Sequence, residues 1–178
     1  MRNVAFAADW NDDSSKNAIR LHGAIPAGLG APLQIEKTLR LVDANNLQIE
    51  YRLTPASQSQ GSPPAPNLIS EFFSPAFAGG AAGTQFCWDA LSAGQDAVPK
   101  VHCEPFTPNA QTLQVPQTAT NFEIRSLNRA TLSLSWHDGS FTIDQKGSFA
   151  RLLWELPAVS SQSGSQTYKL NLALGESR

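Results

Sequence analysis

Apolar and polar residues alternate with period two wherever this chain shows a pattern. In residues 33–41 the odd positions are apolar except Lys37, and every even position is polar. Residues 47–54 repeat the alternation without a break. Successive side chains of a strand point to opposite faces, so both stretches predict strands with one buried and one wet face. Asp43, Ala44, Asn45 and Asn46 lie between them. Asn and Asp tolerate the left-handed conformations of tight turns, which predicts an antiparallel hairpin.

The second half reads alike. Phe122 and Ile124 alternate with Glu123 and Arg125, and Leu132, Leu134 and Trp136 with Ser133, Ser135 and His137. Asp138-Gly139-Ser140 predicts a turn into Phe141-Thr142-Ile143-Asp144, and Lys146-Gly147 marks another reversal. Residues 149–159 are apolar on both parities, through Leu152, Leu153, Trp154 and Leu156, which predicts a central strand covered on both faces. Tyr168, Leu170, Leu172 and Leu174 make a last alternating strand, and weaker candidates lie at Val4–Phe6 and Ile19–Leu21. No stretch carries a sustained helical stripe. Residues 55–66, 75–83 and 105–116 are rich in Pro and Gly and are expected as loops. The expectation is one all-β domain over residues 1–178, a large two-sheet antiparallel sandwich of roughly ten to a dozen strands.

Composition supports this picture. Charged residues make up 16% of the 178, with the balance in Ser, Thr, Gln and Asn, which suit strands and turns. Thirteen Lys and Arg against fifteen Asp and Glu give a net charge of −2, which argues against a nucleic-acid partner. No apolar run is long enough to span a membrane. The first residues do not read as a secretory leader; the chain reads as a domain excised from a longer protein, with the cytoplasm as working location. Cys87 and Cys103 either bridge in an oxidising compartment or stay as small buried apolar groups in a reducing one. A core of this size is expected to fold without the bridge. Three scattered histidines and two cysteines make no CxxC or HxxxH pair, so no metal and no cofactor are expected.

Candidate chemistry is sparse. The run from Asp9 to Asp13 has oxygen ligands at calcium-loop spacing, but Ser14 stands where Gly is needed and Arg20 where Glu is needed. Glycoside hydrolysis needs two facing carboxylates. Asp43, Asp89, Asp96 and Asp138 read as turn formers, and Glu36, Glu50 and Glu123 as wet strand faces. Glu71 is the exception, set among Leu68, Ile69, Phe72 and Phe73. Lys37, a cation on an apolar parity, is its expected buried partner, with a β-bulge turning Lys37 outward as the alternative. Neither arrangement is catalytic by itself. His22, His102 and His137 show no acidic partner. Trp10 and Trp88 adjoin polar stretches and are the candidate platforms for stacking on sugar; Trp136 and Trp154 are expected to point inward.

Residues 34–41, the strand over 47–53 with Tyr51, and residues 67–73 with Glu71 occur in an order that resembles a known family. They look like the C-terminal β-domain of glycoside hydrolase family 57, the α-amylase and 4-α-glucanotransferase group. Leu153-Trp154-Glu155-Leu156-Pro157 and Ser160-Ser161-Gln162-Ser163-Gly164 are similar to its Trp-x-x-Pro and Ser-Gln-Ser elements. Tyr168 falls at the Tyr of the family's ending, but Lys169-Leu170 follows it instead of Gln-Gly, and Phe72-Phe73 follows Glu71. The chain would be a divergent member. The resemblance implies a supersandwich like that of galactose mutarotase, packed against an upstream catalytic barrel that holds the catalytic carboxylates. No catalytic residue carries over to this chain. The function implied is a non-catalytic accessory domain of an enzyme acting on α-glucan. The alternatives are an independent carbohydrate-binding module and a mutarotase-like enzyme on the same fold.

Overall fold

The computed structural model describes residues 6–9, 17–25, 33–55, 67–73, 83–90, 100–116, 119, 121–126, 130–146, 149–157 and 164–176. Their regular structure is entirely β. In chain order the strands are β1 (Phe6–Asp9), β2 (Ala18–Ile25), β3 (Leu33–Leu41), β4 (Asn46–Pro55), β5 (Asn67–Phe73), β6 (Gln85–Ala90) and β7 (Lys100–Pro105). There follow β8 (Leu113–Gln114), β9 (Asn121–Arg125), β10 (Ala130–Trp136), β11 (Ser140–Lys146), β12 (Phe149–Leu156) and β13 (Gln166–Glu176). One sheet runs β1-β2-β3-β4-β13-β10-β9-β6-β7 and the other β5-β12-β11-β8. The expected two-sheet antiparallel architecture is present. The chain divides into two compact units, Met1–Asn67 with Pro157–Asn171, and Leu68–Leu156 with Leu172–Arg178.

In the first unit, the predicted hairpin forms with β3 and β4 paired residue for residue from Leu33–Pro55 to Leu41–Leu47. At its turn the Asp43 carboxylate accepts from the Asn45 backbone N–H (2.8 Å) and from the Asn46 side-chain amide. Leu33, Ile35, Ile49, Tyr51 and Leu53 are buried on the odd face, as are Tyr168 and Leu170 of β13. Lys37 shares that face, half-buried. The one-to-one register rules out the bulge offered for it. Its Nζ lies 5.2 Å from the centre of the Tyr51 ring directly opposite, a cation–π contact that lets an ammonium occupy an apolar parity. The expected partner, Glu71, is in β5, and its side chain lies outside the described residues.

The second unit is a two-layer sandwich around aromatic rings. Trp136 of β10 meets Phe141 of β11 with ring centres 4.3 Å apart, and Phe141 stacks on Trp154 of β12 at 5.6 Å. Phe86 contacts Phe122 and Phe106. The Trp154 Nε1–H donates to the Asp138 carbonyl at 2.8 Å, so the buried indole leaves no donor unpaired. Gly139 makes this approach possible: its φ is +93°, and a Cβ there would sit 2.6 Å from Trp154 Nε1. Trp136 and Trp154 are thus interior, as expected. The expected double coverage of β12 is corrected: Leu152, Trp154 and Leu156 are buried, but Glu155 is exposed.

β6, β7 and β8 went unpredicted. β6 hides its alternation because Phe86, Cys87 and Trp88 are all buried. β8 falls in a stretch expected as loop, which Gln145 ties down: its side-chain oxygen accepts from the Thr107 N–H and its carbonyl from the Asn109 N–H. Cys87 and Cys103 stand opposite each other on β6 and β7 and are joined in a disulfide, the bridged alternative. Such bridges persist in oxidising compartments, which weighs against the cytoplasmic expectation.

Candidate functional site

The outer face of β2, β3 and β4 carries their even-numbered residues. Strand register puts His22 opposite Glu36 and Glu36 opposite Arg52. The next row holds Ala24, Gln34 and Thr54. These two rows, with Gly23 and Ile35, line a cleft of about 450 Å³. Directly opposed residues of an antiparallel pair have Cβ atoms roughly 5 Å apart. Imidazole, carboxylate and guanidinium therefore stand side by side across three strands.

None of the three is spent on the protein itself. Among the described residues, His22, Glu36 and Arg52 make no hydrogen bond or ion pair. The seam between β4 and β13 behaves differently. There Lys169 Nζ bonds the Glu50 carboxylate at 3.2 Å, Gln48 donates to Asn171 at 3.0 Å, and the Thr54 and Ser165 hydroxyls meet at 2.8 Å. The row thus offers one acceptor pair, one five-proton donor and one imidazole that can give or take a proton. Gln34 adds an amide at the cleft's edge. This is the donor and acceptor mixture that a polyhydroxylated ligand requires.

The platforms expected from sequence fare less well. Trp88 is 6% exposed, with its ring centre 4.7 Å from that of His102, so it has no free face for a sugar. The cause is parity. Trp88 shares its strand face with Phe86, which is in the core, and the polar residues after it do not alter which way it points. Trp10 lies outside the described residues. The absence of an acidic partner is corrected for His102, whose Nε2 lies 2.9 Å from Glu104 Oε1 with both side chains exposed, while His22 stands opposite Glu36 without a bond among the described residues. The His102–Glu104 pair was visible as a His-x-Glu spacing within one strand. The opposition of His22 and Glu36 needed the β2–β3 register, which a weak N-terminal pattern did not give. Among the described residues no group of three or more His, Cys, Asp or Glu is placed to hold a metal ion. No helix among them is long and apolar enough to cross a membrane.

No family model matches the sequence, and no curated protein does. Solved structures do. A GalM/aldose epimerase homologue from C. elegans matches 99% of this chain over 70% of its own, with a TM-score of 0.61 and 10% identity. The fold is galactose mutarotase-like. Heparan sulfate lyase HepC from Pedobacter heparinus matches 99% of the chain with a TM-score of 0.50 and 8% identity, but over only 22% of its own length. At such identities the likeness concerns fold alone.

Proposed function

We propose that this chain is a carbohydrate-binding domain that takes sugar on the outer face of β2, β3 and β4. The observation that carries the reading is the row His22–Glu36–Arg52, unspent and set in a cleft. The fold supports it, since it recurs in a protein named as an aldose epimerase homologue and in part of a heparan sulfate lyase. Contacts come from polar side chains on a sheet; no described aromatic presents a face there. A role beside an upstream barrel acting on α-glucan stays a proposal that rests on the resemblance to glycoside hydrolase family 57.

The opposition of His22 and Glu36 favours one second reading, an aldose mutarotase. Opening a pyranose ring needs a base for the anomeric hydroxyl proton and an acid for the ring oxygen. Glu36 would take the first proton and His22 supply the second; reclosure on the other face returns both.

The test is chemical-shift mapping on the ¹⁵N-labelled chain with maltoheptaose, galactose and tri-galacturonate. Saturable shifts clustered on the even residues of β2 to β4 are expected with at least one of them. Silence with all three, or shifts gathered on β6 and β7, would overturn the reading. Polarimetry of fresh α-D-galactose decides the second: acceleration lost in His22→Ala supports it, and the spontaneous rate removes it.

A further inference from the structure

Arg52 is the unusual member of the row. It stands directly opposite Glu36, where opposite charges normally pair across strands, and yet the two are not bridged. The other charges of this face are accounted for differently. Lys169 is held by Glu50. Arg20 is engaged, and β1 places Asp9 at the register position opposite it. That leaves, among the described residues, Arg52 opposite Glu36 and Arg40 opposite Gln48 as unengaged guanidinium groups on this face, while Glu50, in the row between them, is taken by Lys169. The chain as a whole is net negative, at −2, so the local balance runs against the global one.

We infer that the cleft selects an anionic sugar, one bearing a carboxylate or a sulfate ester, with Arg52 as the anchor of the anionic group. This rests on the carbohydrate reading and narrows it. A guanidinium presents two parallel N–H groups that match the two oxygens of either anion, which an ammonium does not. Glu36 accepts from ring hydroxyls, and its charge fixes direction: the anionic end of the sugar lies on the Arg52 side of the row. A neutral sugar would satisfy Glu36 and His22 and leave Arg52 to water.

Calorimetric titration of the full chain tests this with four probes: tri-galacturonate, a sulfated carrageenan tetrasaccharide, maltotriose and inorganic sulfate. At least one anionic oligosaccharide should bind about tenfold tighter than maltotriose, the scale of one added charge-assisted hydrogen-bond pair. Added salt should narrow the gap. Arg52→Gln should abolish the preference, and Arg52→Lys should keep part of it. Which anion gains most tells carboxylate from sulfate. Equal affinity for maltotriose, or a preference that survives Arg52→Gln, would overturn the inference and leave the carbohydrate reading standing. Sulfate ion binding as tightly as the oligosaccharides would reduce the site to an ion site and overturn it as well. No binding by any sugar would sink the carbohydrate reading itself.

Discussion

The outer row His22–Glu36–Arg52 of the first unit and the second unit treat their polar side chains in opposite ways. In the second, polar groups are consumed by the fold. The Gln145 side chain and the Trp154 indole hold loop backbone, Asn121 donates to Asp89, and Arg125 is clamped on Glu123 at 2.6 Å. The buried hydroxyls of Thr84 and Thr131 are the exceptions among the described residues. A polar atom sealed from water without a partner costs about 1–3 kcal/mol, so a core built of Phe and Trp forces the pairing of the buried Trp154 indole and Gln145 side chain. On the outer face of β2 to β4 no such pressure exists. Water serves His22, Glu36 and Arg52 without cost, and they stay unpaired. Groups that the fold must pair reveal stability; groups that it leaves alone in a cleft are available to a ligand. Mutations can separate the two kinds, because their effects fall on different measurements.

The largest loss of stability should come from the aromatic core. Trp154→Ala removes a fully buried ring stacked on Phe141 and is expected to cost about 4 kcal/mol in guanidinium unfolding. Sugar binding on β2 to β4 should be unchanged wherever the variant stays folded. A cost below roughly 1 kcal/mol would mean that this core is loosely packed and that the contrast is false.

Breaking the Cys87–Cys103 bridge comes next. The residues are 16 apart, and closing a loop of that size restricts the unfolded chain by about 3 kcal/mol. The double variant Cys87→Ser, Cys103→Ser should lose that much and remain folded, because the rings around Phe86 persist without it. An unfolded variant would show that the bridge, and not the core, holds β7. Equal stability with and without dithiothreitol would show that the bridge contributes nothing.

How much of this was readable from the residues depends on whether a pattern is local. The β3–β4 hairpin was, since perfect alternation and Asx residues at the turn both act within twenty-odd positions. Burial of Trp136 and Trp154 followed from parity alone. Trp88 is buried despite its polar neighbours in sequence, because its parity with Phe86 decides which way it points. β7 does alternate, with Lys100, His102 and Glu104 against Val101 and Cys103, but over five residues only, and its register sets the polar parity opposite Trp88 and Phe86. The row His22–Glu36–Arg52 joins three strands, and each residue looked like ordinary solvated polarity on its own. Register created the site, and register between strands is set by tertiary pairing that one strand's pattern does not contain.

Smaller effects on stability, with larger ones on binding, are expected in that row. Glu36→Gln and Arg52→Gln should each change unfolding free energy by less than about 0.5 kcal/mol, the range of surface substitutions that break no contact. Each should weaken the binding of whichever sugar the wild-type chain takes. A destabilisation approaching that of Trp154→Ala would show that these groups are spent on the fold after all. The comparison would then collapse.

The finest test is Asp43, a fully exposed polar residue that the first unit does spend. The Asn45 N–H and, next, the Asn46 side-chain amide hydrogen-bond its carboxylate, and both favour the charged form. They hold its pKa below the ordinary aspartate value. A depressed folded pKa means that the unfolded chain binds the proton more tightly. The turn's contribution is therefore complete above the ordinary aspartate pKa and is lost as pH falls through the lower, folded one. Asp43→Ala should be slightly less stable than the wild type at neutral pH, with the difference closing in acid. Asp43→Asn keeps an acceptor for Asn45 but carries no charge, so it should fall between them at neutral pH. Urea unfolding across the acid range, with a carbon-detected titration of the Asp43 carboxyl, measures both shifts. If Asp43→Ala proves as silent as Glu36→Gln at every pH, hydrogen bonds formed on this exposed surface add nothing to folding. The difference between the outer row and the second unit would then be one of burial alone, and being unpaired would no longer mark that row as a place for a ligand.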